Sequence, residues 1–132
     1  MWQRYVDEFL MIESDGRKMT SAAILNHDGV VWAKSANFPE FKVKEIVKIV
    51  EAFDSPRKLV RKGLRIGGTK YEITQVEQEH VINGKKGTGG IVVKKTSMTL
   101  LVGIYNEPMT GTLCNEIVKR TAPYVIAQQY YS

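Results

Sequence analysis

Residue types that build catalytic or cross-linked sites are scarce in this chain of 132 residues. It has one cysteine, Cys114, and two histidines, His27 and His80. One cysteine excludes an internal disulfide, and with two distant histidines it does not supply a metal ligand set. Each histidine lies beside turn residues without the third group that acid–base catalysis needs. The sequence therefore favours a binding protein over an enzyme and predicts no cofactor and no metal, with Cys114 a small buried hydrophobe.

Long apolar runs are also missing, and none approaches the length of a membrane-spanning helix. The first residues lack the pattern of a secretory signal, and no Asn-x-Ser/Thr acceptor occurs. Together with the cysteine count, these features predict a cytoplasmic protein. Hydrophobic residues make up 43% and charged residues 25% of the chain, as in ordinary soluble domains. We therefore expect a single domain over residues 1–132.

The chain is moderately basic, with a formal net charge of +5. Such an excess fits an acidic protein surface, anionic lipid headgroups or nucleic acid. Nucleic acid is disfavoured because the basic strand at residues 91–95 has no interleaved aromatic ring. The densest basic cluster is Arg57, Lys58, Arg61, Lys62 and Arg65. It is either solvated surface charge or a patch that meets an acidic partner.

A glycine-rich segment spans residues 83–90 and superficially resembles a phosphate-binding loop. The order of Gly, Lys and Thr does not fit that motif, and a strand pattern follows instead of a helix. A hairpin turn is the simpler interpretation. The alternative is that neighbouring lysines project near one edge and hold inositol phosphates as point charges. These lysines are Lys85, Lys86, Lys94 and Lys95.

Aromatic residues are concentrated at both ends of the chain. Residues 2–10 carry Trp, Tyr, Val, Phe and Leu at the spacing of one helical face, and Tyr124, Tyr130 and Tyr131 crowd the last nine residues. Terminal residues are usually polar and frayed. Two terminal helices that dock side by side on one sheet would explain the rings. Exposed Trp and Tyr side chains suit flat, proline-rich ligands.

The intervening pattern predicts a hairpin over residues 19–35, a helix over 42–53 and about five short strands up to residue 105. A final helix follows, capped by Thr110 or Thr112. The expected fold is α+β, a central antiparallel sheet with the terminal helices together on one face and shorter helices on the other. Pro123 lies inside the final helix, where we expect a kink or break between residues 119 and 122.

An ordered set of motifs carries a family resemblance. It comprises Trp2-Gln3-x-Tyr5-Val6-Asp7, Ala22-Ala23-Ile24, His27-Asp28-Gly29-x-x-Trp32-Ala33, Phe38-Pro39-x-Phe41, Gly67-Gly68-Thr69-Lys70-Tyr71, Gly84-Lys85-Lys86-Gly87-x-Gly89-Gly90-Ile91 and Gly103-Ile104-Tyr105. The set resembles profilin, most closely the plant-type members, over nearly the whole chain. The resemblance implies a profilin fold and an actin-monomer-binding protein of the cytoplasm and cytoskeleton. It also implies binding of proline-rich partners such as formins and of phosphatidylinositol bisphosphate.

The resemblance also implies positions for three sites. The polyproline site is Trp2, Tyr5, Trp32, Tyr124 and Tyr130, with Tyr131 as an alternative to Tyr130. The actin surface includes Lys95, Thr99, Gly111, Asn115 and Glu116. The phosphoinositide segment corresponds to residues 80–96.

One departure from the family pattern affects the expected function. Residues 55–62 are far more basic than the corresponding segment of plant-type members. Because that segment borders the actin surface in the family, the departure is expected to affect actin affinity or isoform preference. Two other functions are compatible with the sequence, the first because of the basic excess and the second because small α+β sheet domains recur in such scaffolds. One is a phosphoinositide-responsive module with little actin binding. The other is a trafficking scaffold, which would dimerise through a sheet edge and lack affinity for polyproline.

Overall fold

A computed structural model describes residues 1–131. The N-terminal helix begins as α1 (Trp2–Arg4) and continues as a π-helical segment over Tyr5–Leu10. The remaining helices are α2 (Val43–Ala52), α3 (Pro56–Lys62) and α4 (Gly111–Tyr131). The strands are β1 (Ser21–Asn26), β2 (Val31–Lys34), β3 (Leu64–Ile66), β4 (Thr69–Glu77), β5 (Val81–Lys86), β6 (Gly89–Lys95) and β7 (Thr99–Tyr105).

The seven strands form one antiparallel sheet in the order β2-β1-β7-β6-β5-β4-β3. Strand β7 lies near the middle and is buried along its whole length, as expected for a strand covered on both faces. The glycine-rich segment is the β5–β6 hairpin, with Lys86 opposite Gly89. The predicted α+β architecture is confirmed.

Two hydrophobic cores lie on opposite faces of the sheet. Alternate residues of β7 separate them, because successive side chains of a strand point to opposite faces. Leu101 and Tyr105 join the core under α4 and the N-terminal helix, whereas Leu100 and Val102 join the core under α2 and α3. The terminal helices therefore share one face, as predicted.

Helix α3 falls in the basic segment, for which the sequence left a helical turn or a loop open. Pro56 occupies its first turn, where a missing N–H carries no penalty. Leu59 is buried and anchors the helix, and Gly63 ends it with φ of 75°. This short helix places the basic side chains on the solvent side.

Helix α4 runs unbroken through Pro123, so the predicted break does not occur. Pro123 lies on the exposed side of the helix, and Ala122 and Val125 beside it are buried. A carbonyl that loses its partner on the solvent side can be hydrated, which makes a proline tolerable there. No helix within residues 1–131 is both long enough and apolar enough to cross a membrane.

Candidate binding surfaces

Five aromatic rings form a continuous surface, here called the aromatic strip, which consists of Trp32, Trp2, Tyr5, Phe9 and Tyr124. Ring centroids lie 4.8 Å apart for Trp2 and Trp32 and 6.1 Å apart for Trp2 and Tyr5. Phe9 lies 5.2 Å from Tyr5 and 5.2 Å from Tyr124, so it joins the N-terminal helix to α4. These separations are typical of tilted and edge-to-face aromatic pairs.

The local fold of the N-terminal segment exposes these rings. In the π-helical part, the N–H of Met11 donates to the carbonyl of Val6, five residues earlier. Val6 and Leu10 are fully buried, which leaves Tyr5 and Phe9 along the outer edge. Helical periodicity therefore places Val6 and Leu10 in the core, where they hold the segment in place, and leaves Tyr5 and Phe9 in the aromatic strip.

Two hydrogen bonds fix the strip to the rest of the fold. The Tyr5 hydroxyl donates to Gln128 Oε1 of α4 at 3.3 Å, and Gln3 Nε2 donates to the Lys34 carbonyl of β2 at 2.8 Å. Within residues 1–131, neither Trp2 nor Trp32 uses its indole N–H in a hydrogen bond. Both N–H groups are therefore free to donate to a ligand.

The C-terminal tyrosines divide between two sides of α4. Tyr124 touches Phe9 and is 54% exposed. Tyr131 follows seven residues later, about two turns, so it lies on the same side, whereas Tyr130 points about a third of a turn away. Tyr130 is 80% exposed and has no ring contact within the described residues. Tyr131 is 87% exposed and also makes no ring contact within residues 1–131, so the structure brings neither residue against the strip, although helical spacing puts Tyr131 on its side of α4.

The opposite flank of α4 carries a groove against β4 and β5, here called the polar groove. Its centre is a network of Glu77, Asn83, Asn115 and Lys119. Asn83 Nδ2 donates to Glu77 Oε2 at 2.8 Å, and Asn115 Nδ2 donates to both Glu77 Oε2 and Asn83 Oδ1. Lys119 Nζ lies 2.9 Å from Glu77 Oε1. One carboxylate of β4 therefore organises three side chains from β5 and α4.

This network controls the charge of Glu77. Partial burial acts to raise its pKa, but the hydrogen bonds from Lys119, Asn83 and Asn115 outweigh that effect and lower the pKa below its ordinary value. The same pairing raises the pKa of Lys119. Both groups are therefore charged at neutral pH, and the carboxylate is a fixed feature of the groove.

The predicted actin residues do not form one cluster. Gly111, Asn115 and Glu116 line the polar groove. Lys95 and Thr99 lie at the far ends of β6 and β7, where Lys95 pairs with Leu100. Lys95 is half-buried. The strand rise of about 3.3 Å per residue puts this end more than a dozen ångströms from the end beside Gly111.

Thr99 is not a surface residue at all. It is 0% exposed, and its hydroxyl donates to Gln129 Oε1 at 2.9 Å and lies 2.7 Å from the hydroxyl of Thr96. The backbone carbonyls of Thr96 and Thr99 both lie within hydrogen-bonding distance of His27 Nε2. Thr99 therefore ties the end of α4 to the sheet, which corrects its prediction as a contact residue.

The four lysines predicted to hold phosphoinositide are likewise separated. Lys85 pairs with Gly90 and Lys86 with Gly89 at the hairpin turn, whereas Lys94 pairs with Val81 at the other end of β6. The Lys94 ammonium donates to the Glu79 carbonyl. Burial, with the nearby Lys119 charge, lowers the pKa of Lys94. The expectation that Lys85, Lys86, Lys94 and Lys95 project near one edge is therefore wrong.

A larger set of exposed cations lies away from the polar groove. They come from α3, β3 and the hairpin turn, and they are Arg57, Lys58, Arg61, Lys62, Arg65, Lys85 and Lys86. Within residues 1–131 the ion pairs are Arg4–Glu8 and Lys119–Glu77, so none of these cations is neutralised. This region is suited to an anionic partner.

Cys114 lies in the core under α4, fully buried as predicted. Burial raises the pKa of its thiol to about 12, so it stays protonated. His80 packs against the ring of Phe53 at the end of α2, with centroids 6.0 Å apart. The buried Cys114 is therefore not accessible to a partner, whereas His80 is exposed at the start of the segment 80–96.

The architecture and its two flanking surfaces define a small α+β binding module, and comparison with known proteins identifies its class. The family model described as Profilin matches residues 1–130. Among solved structures, Acanthamoeba castellanii profilin II is 33% identical, with a TM-score of 0.84, covering 98% of this chain and 99% of that one. Schizosaccharomyces pombe profilin is 30% identical, with a TM-score of 0.83, covering 96% of this chain and 98% of that one.

A more distant match is mouse profilin IIa in complex with a double repeat from the FH1 domain of mDia1. It is 23% identical, with a TM-score of 0.78, covering 97% of this chain and 98% of that one, and it shows the fold alone. The chain belongs to the profilin family. The resemblance drawn from the sequence motifs is thereby confirmed.

Proposed function

We propose that this protein is a regulator of actin assembly that binds actin monomers in the polar groove and proline-rich partners on the aromatic strip. The observation that carries the proposal is the position of α4 between the two surfaces. Asn115 and Tyr124 are nine residues apart, about two and a half turns, and so face opposite flanks. Two partners can therefore be held at once without competing for the same side chains.

The chemistry of the aromatic strip supports a proline-rich ligand. Flat rings bury large apolar area at low entropy cost, and a polyproline helix is already ordered before it binds. The free indole N–H groups of Trp2 and Trp32 are suitable donors to the backbone carbonyls of such a segment. The mouse complex with FH1 repeats supports the same partner class, which includes the formins.

The polar groove suits a protein partner with its own charged surface. Glu77, Asn115 and Lys119 are held in one arrangement before binding, so little side-chain entropy is lost on association. Family membership supports monomeric actin as this partner. The function is one of binding and delivery, at the cytoskeleton and in the cytoplasm.

Intrinsic fluorescence provides a direct test, because the chain has only two tryptophans and both belong to the strip. Titration with a polyproline peptide should change the emission, and actin cosedimentation or pyrene-actin assays should detect monomer binding separately. Adding saturating actin should leave the peptide affinity nearly unchanged when it is measured with a labelled peptide. Mutual exclusion of the two ligands would contradict the two-surface arrangement.

A second activity, binding of phosphatidylinositol bisphosphate, is favoured by the unpaired cations of α3 and the hairpin turn. Each basic residue near an anionic surface contributes about 1 kcal/mol, and salt weakens the effect. Liposome cosedimentation should fall when Lys85 and Lys86 are replaced by Glu, and further when the α3 cations are neutralised. Salt-insensitive binding would argue against it, and lipid binding without actin binding would instead favour the phosphoinositide-responsive alternative.

A further inference from the structure

The floor of the polar groove holds a hydroxyl group without a partner. Tyr105 ends β7 and is 8% exposed, and it lines the groove together with Gly111 and Asn115. Within residues 1–131 the Tyr105 hydroxyl makes no hydrogen bond. Every side-chain nitrogen or oxygen that is fully inaccessible to solvent in these residues has a hydrogen-bond partner, so the unpartnered Tyr105 oxygen is not fully inaccessible. The oxygen is therefore reached from the groove. Buried tyrosine hydroxyls usually find a hydrogen-bond partner, so this one is unusual.

Two glycines leave the space around this oxygen open. A Cβ atom would lie 2.5 Å from the Tyr105 hydroxyl if added at Gly90, and 2.7 Å if added at Gly111. At Gly90 it would also meet the Gly84 carbonyl at 2.3 Å, whereas at Gly111 the hydroxyl is the nearest atom. Neither Gly90 nor Gly111 has a positive φ, so backbone conformation does not require glycine there. The close approach of the Tyr105 hydroxyl therefore explains why residue 111 is a glycine, and at residue 90 it is one of two reasons for glycine, together with the Gly84 carbonyl.

Further donors lie at the same end of the groove, where α4 begins. The first N–H groups of a helix have no acceptor within it. The side-chain oxygen of Thr110 accepts a hydrogen bond from the backbone N–H of Leu113, and the backbone carbonyl of Thr110 accepts one from the backbone N–H of Cys114. The N–H groups of Gly111 and Thr112 are left without an acceptor in residues 1–131. This 21-residue helix also adds partial positive charge at its start.

The protonation state of Tyr105 makes its hydroxyl a donor. Burial, with a smaller contribution from Cys114, raises the pKa of Tyr105, so the phenol keeps its proton at neutral pH. A protonated phenol, two free backbone N–H groups and a helix N-terminus together favour a hydrogen-bond acceptor.

We propose that Tyr105 is a specificity-determining contact of the groove, whose hydroxyl donates a hydrogen bond to an acceptor oxygen presented by the actin monomer. This inference rests on the proposed function and assigns a residue that the family resemblance did not supply. The donor is fixed in place before binding, between Gly90 and Gly111. A partner that lacks an oxygen at this point leaves the hydroxyl unsatisfied, and for that reason the contact discriminates between partners.

The direct test is Tyr105→Phe, which removes one oxygen and keeps the ring. Loss of a donor to a desolvated acceptor weakens binding by about 10-fold, since about 1.4 kcal/mol corresponds to a factor of 10. Actin affinity is measured by isothermal titration calorimetry. The matched control is Tyr71→Phe, because Tyr71 is also a buried tyrosine but packs in the core on the other face of the sheet. The control should bind actin like the wild type.

A second variant, Gly111→Ala, approaches the same oxygen from the helix. Its methyl group would crowd the hydroxyl at 2.7 Å but meet the ring carbon beneath it at 3.5 Å, an ordinary contact. Gly111→Ala should therefore weaken actin binding, and it should lower Tm in the wild-type background more than in Tyr105→Phe. Polyproline affinity, measured by tryptophan fluorescence, should remain normal in every variant and verify the fold.

The outcomes separate this inference from the proposed function. If the wild-type chain does not bind actin, the proposed function is wrong and the inference falls with it. If the wild type binds and Tyr105→Phe binds within about twofold of it, only the assignment of Tyr105 is wrong. Equal losses in Tyr105→Phe and Tyr71→Phe would also overturn it, because the effect would then be structural.

Discussion

The two flanks of α4 show two ways of building a binding surface. The aromatic strip takes Trp2, Tyr5 and Phe9 from one short segment and adds Trp32 and Tyr124 by packing. The polar groove takes its central residues from three elements, and Glu77 and Asn115 are 38 residues apart in sequence. The strip presents large preformed apolar area, whereas the groove presents fixed charges and donors. The first suits an extended apolar ligand, and the second suits a polar protein surface.

The largest expected effect separates the flanks directly. Trp2→Ala removes the ring between Trp32 and Tyr5 and should weaken polyproline binding by about 1–3 kcal/mol, as expected for a central aromatic hot spot. Actin binding should be nearly intact, because no groove residue touches Trp2. Calorimetry with each ligand measures both. Parallel losses of the two affinities would show that the flanks are not independent.

Charge reversals on the predicted actin residues test the other flank of α4. Glu116→Lys should weaken actin binding by roughly 1 kcal/mol and spare polyproline binding, because reversal of an exposed charge places it against the partner's field. Lys95→Glu should also weaken actin binding, but less, since Lys95 is half-buried at the far end of β6. Sedimentation of the actin complex checks both variants. An unchanged complex for Glu116→Lys would reject the assignment of the groove to actin, and an unchanged complex for Lys95→Glu would confine the actin surface to the groove.

A smaller effect distinguishes the C-terminal tyrosines. Tyr124→Ala should cost about 0.5–1.5 kcal/mol of polyproline binding because it removes an exposed ring of the strip that can pack on the ligand, and Tyr131→Ala should cost less. Tyr130→Ala is the matched control on the same helix and should have no measurable effect. Peptide titrations of the three variants decide the matter. A loss with Tyr130→Ala alone would mean that the end of α4 turns toward the strip when ligand binds.

The smallest expected effect is the pH dependence of the groove. The pKa of Glu77 is lowered in the folded protein. Its network therefore stabilises the fold fully when the pH is above the ordinary carboxylate pKa, and this stabilisation is lost as the pH falls through the pKa that Glu77 has in the folded protein. Glu77→Gln should therefore lower Tm slightly at about pH 7, and the difference should shrink near pH 3. Glu116→Gln, which removes an exposed carboxylate of α4 outside the Glu77 network, is the matched control. A constant difference for Glu77→Gln would place the effect in packing rather than charge.

Much of the strip was predictable because its information is local. Helical spacing along the first ten residues groups Trp2, Tyr5 and Phe9 on one face, and the motif around Trp32 adds a fourth ring. The role of Phe9 as the link to Tyr124 was missed, although its position on the same face is visible in the periodicity. The sequence alone does not decide between Tyr130 and Tyr131, because a difference of one residue rotates a helical side chain by about 100°.

The groove and the basic residues were less predictable because they depend on strand register. Asn115 and Glu116 were named, but Glu77, Asn83 and Tyr105 carry no local signal. Lys85 and Lys94 are nine residues apart, and only the register of the β5–β6 hairpin places them at opposite ends. The burial of Thr99 could not be predicted from the sequence, because it depends on the docking of Gln129 from the end of α4.

The sequence alone determined the order of the strands and of every helix except α3, the family, the aromatic ends and the basic excess, because these follow from composition, periodicity and motifs along the chain. Tertiary structure alone decided which side of α4 each group occupies, how Glu77 gathers Asn83, Asn115 and Lys119, and why the Tyr105 hydroxyl meets two glycines. The physical reason is that such contacts join residues far apart in the chain. Their geometry exists only after two hydrophobic cores have fixed the helices on the sheet.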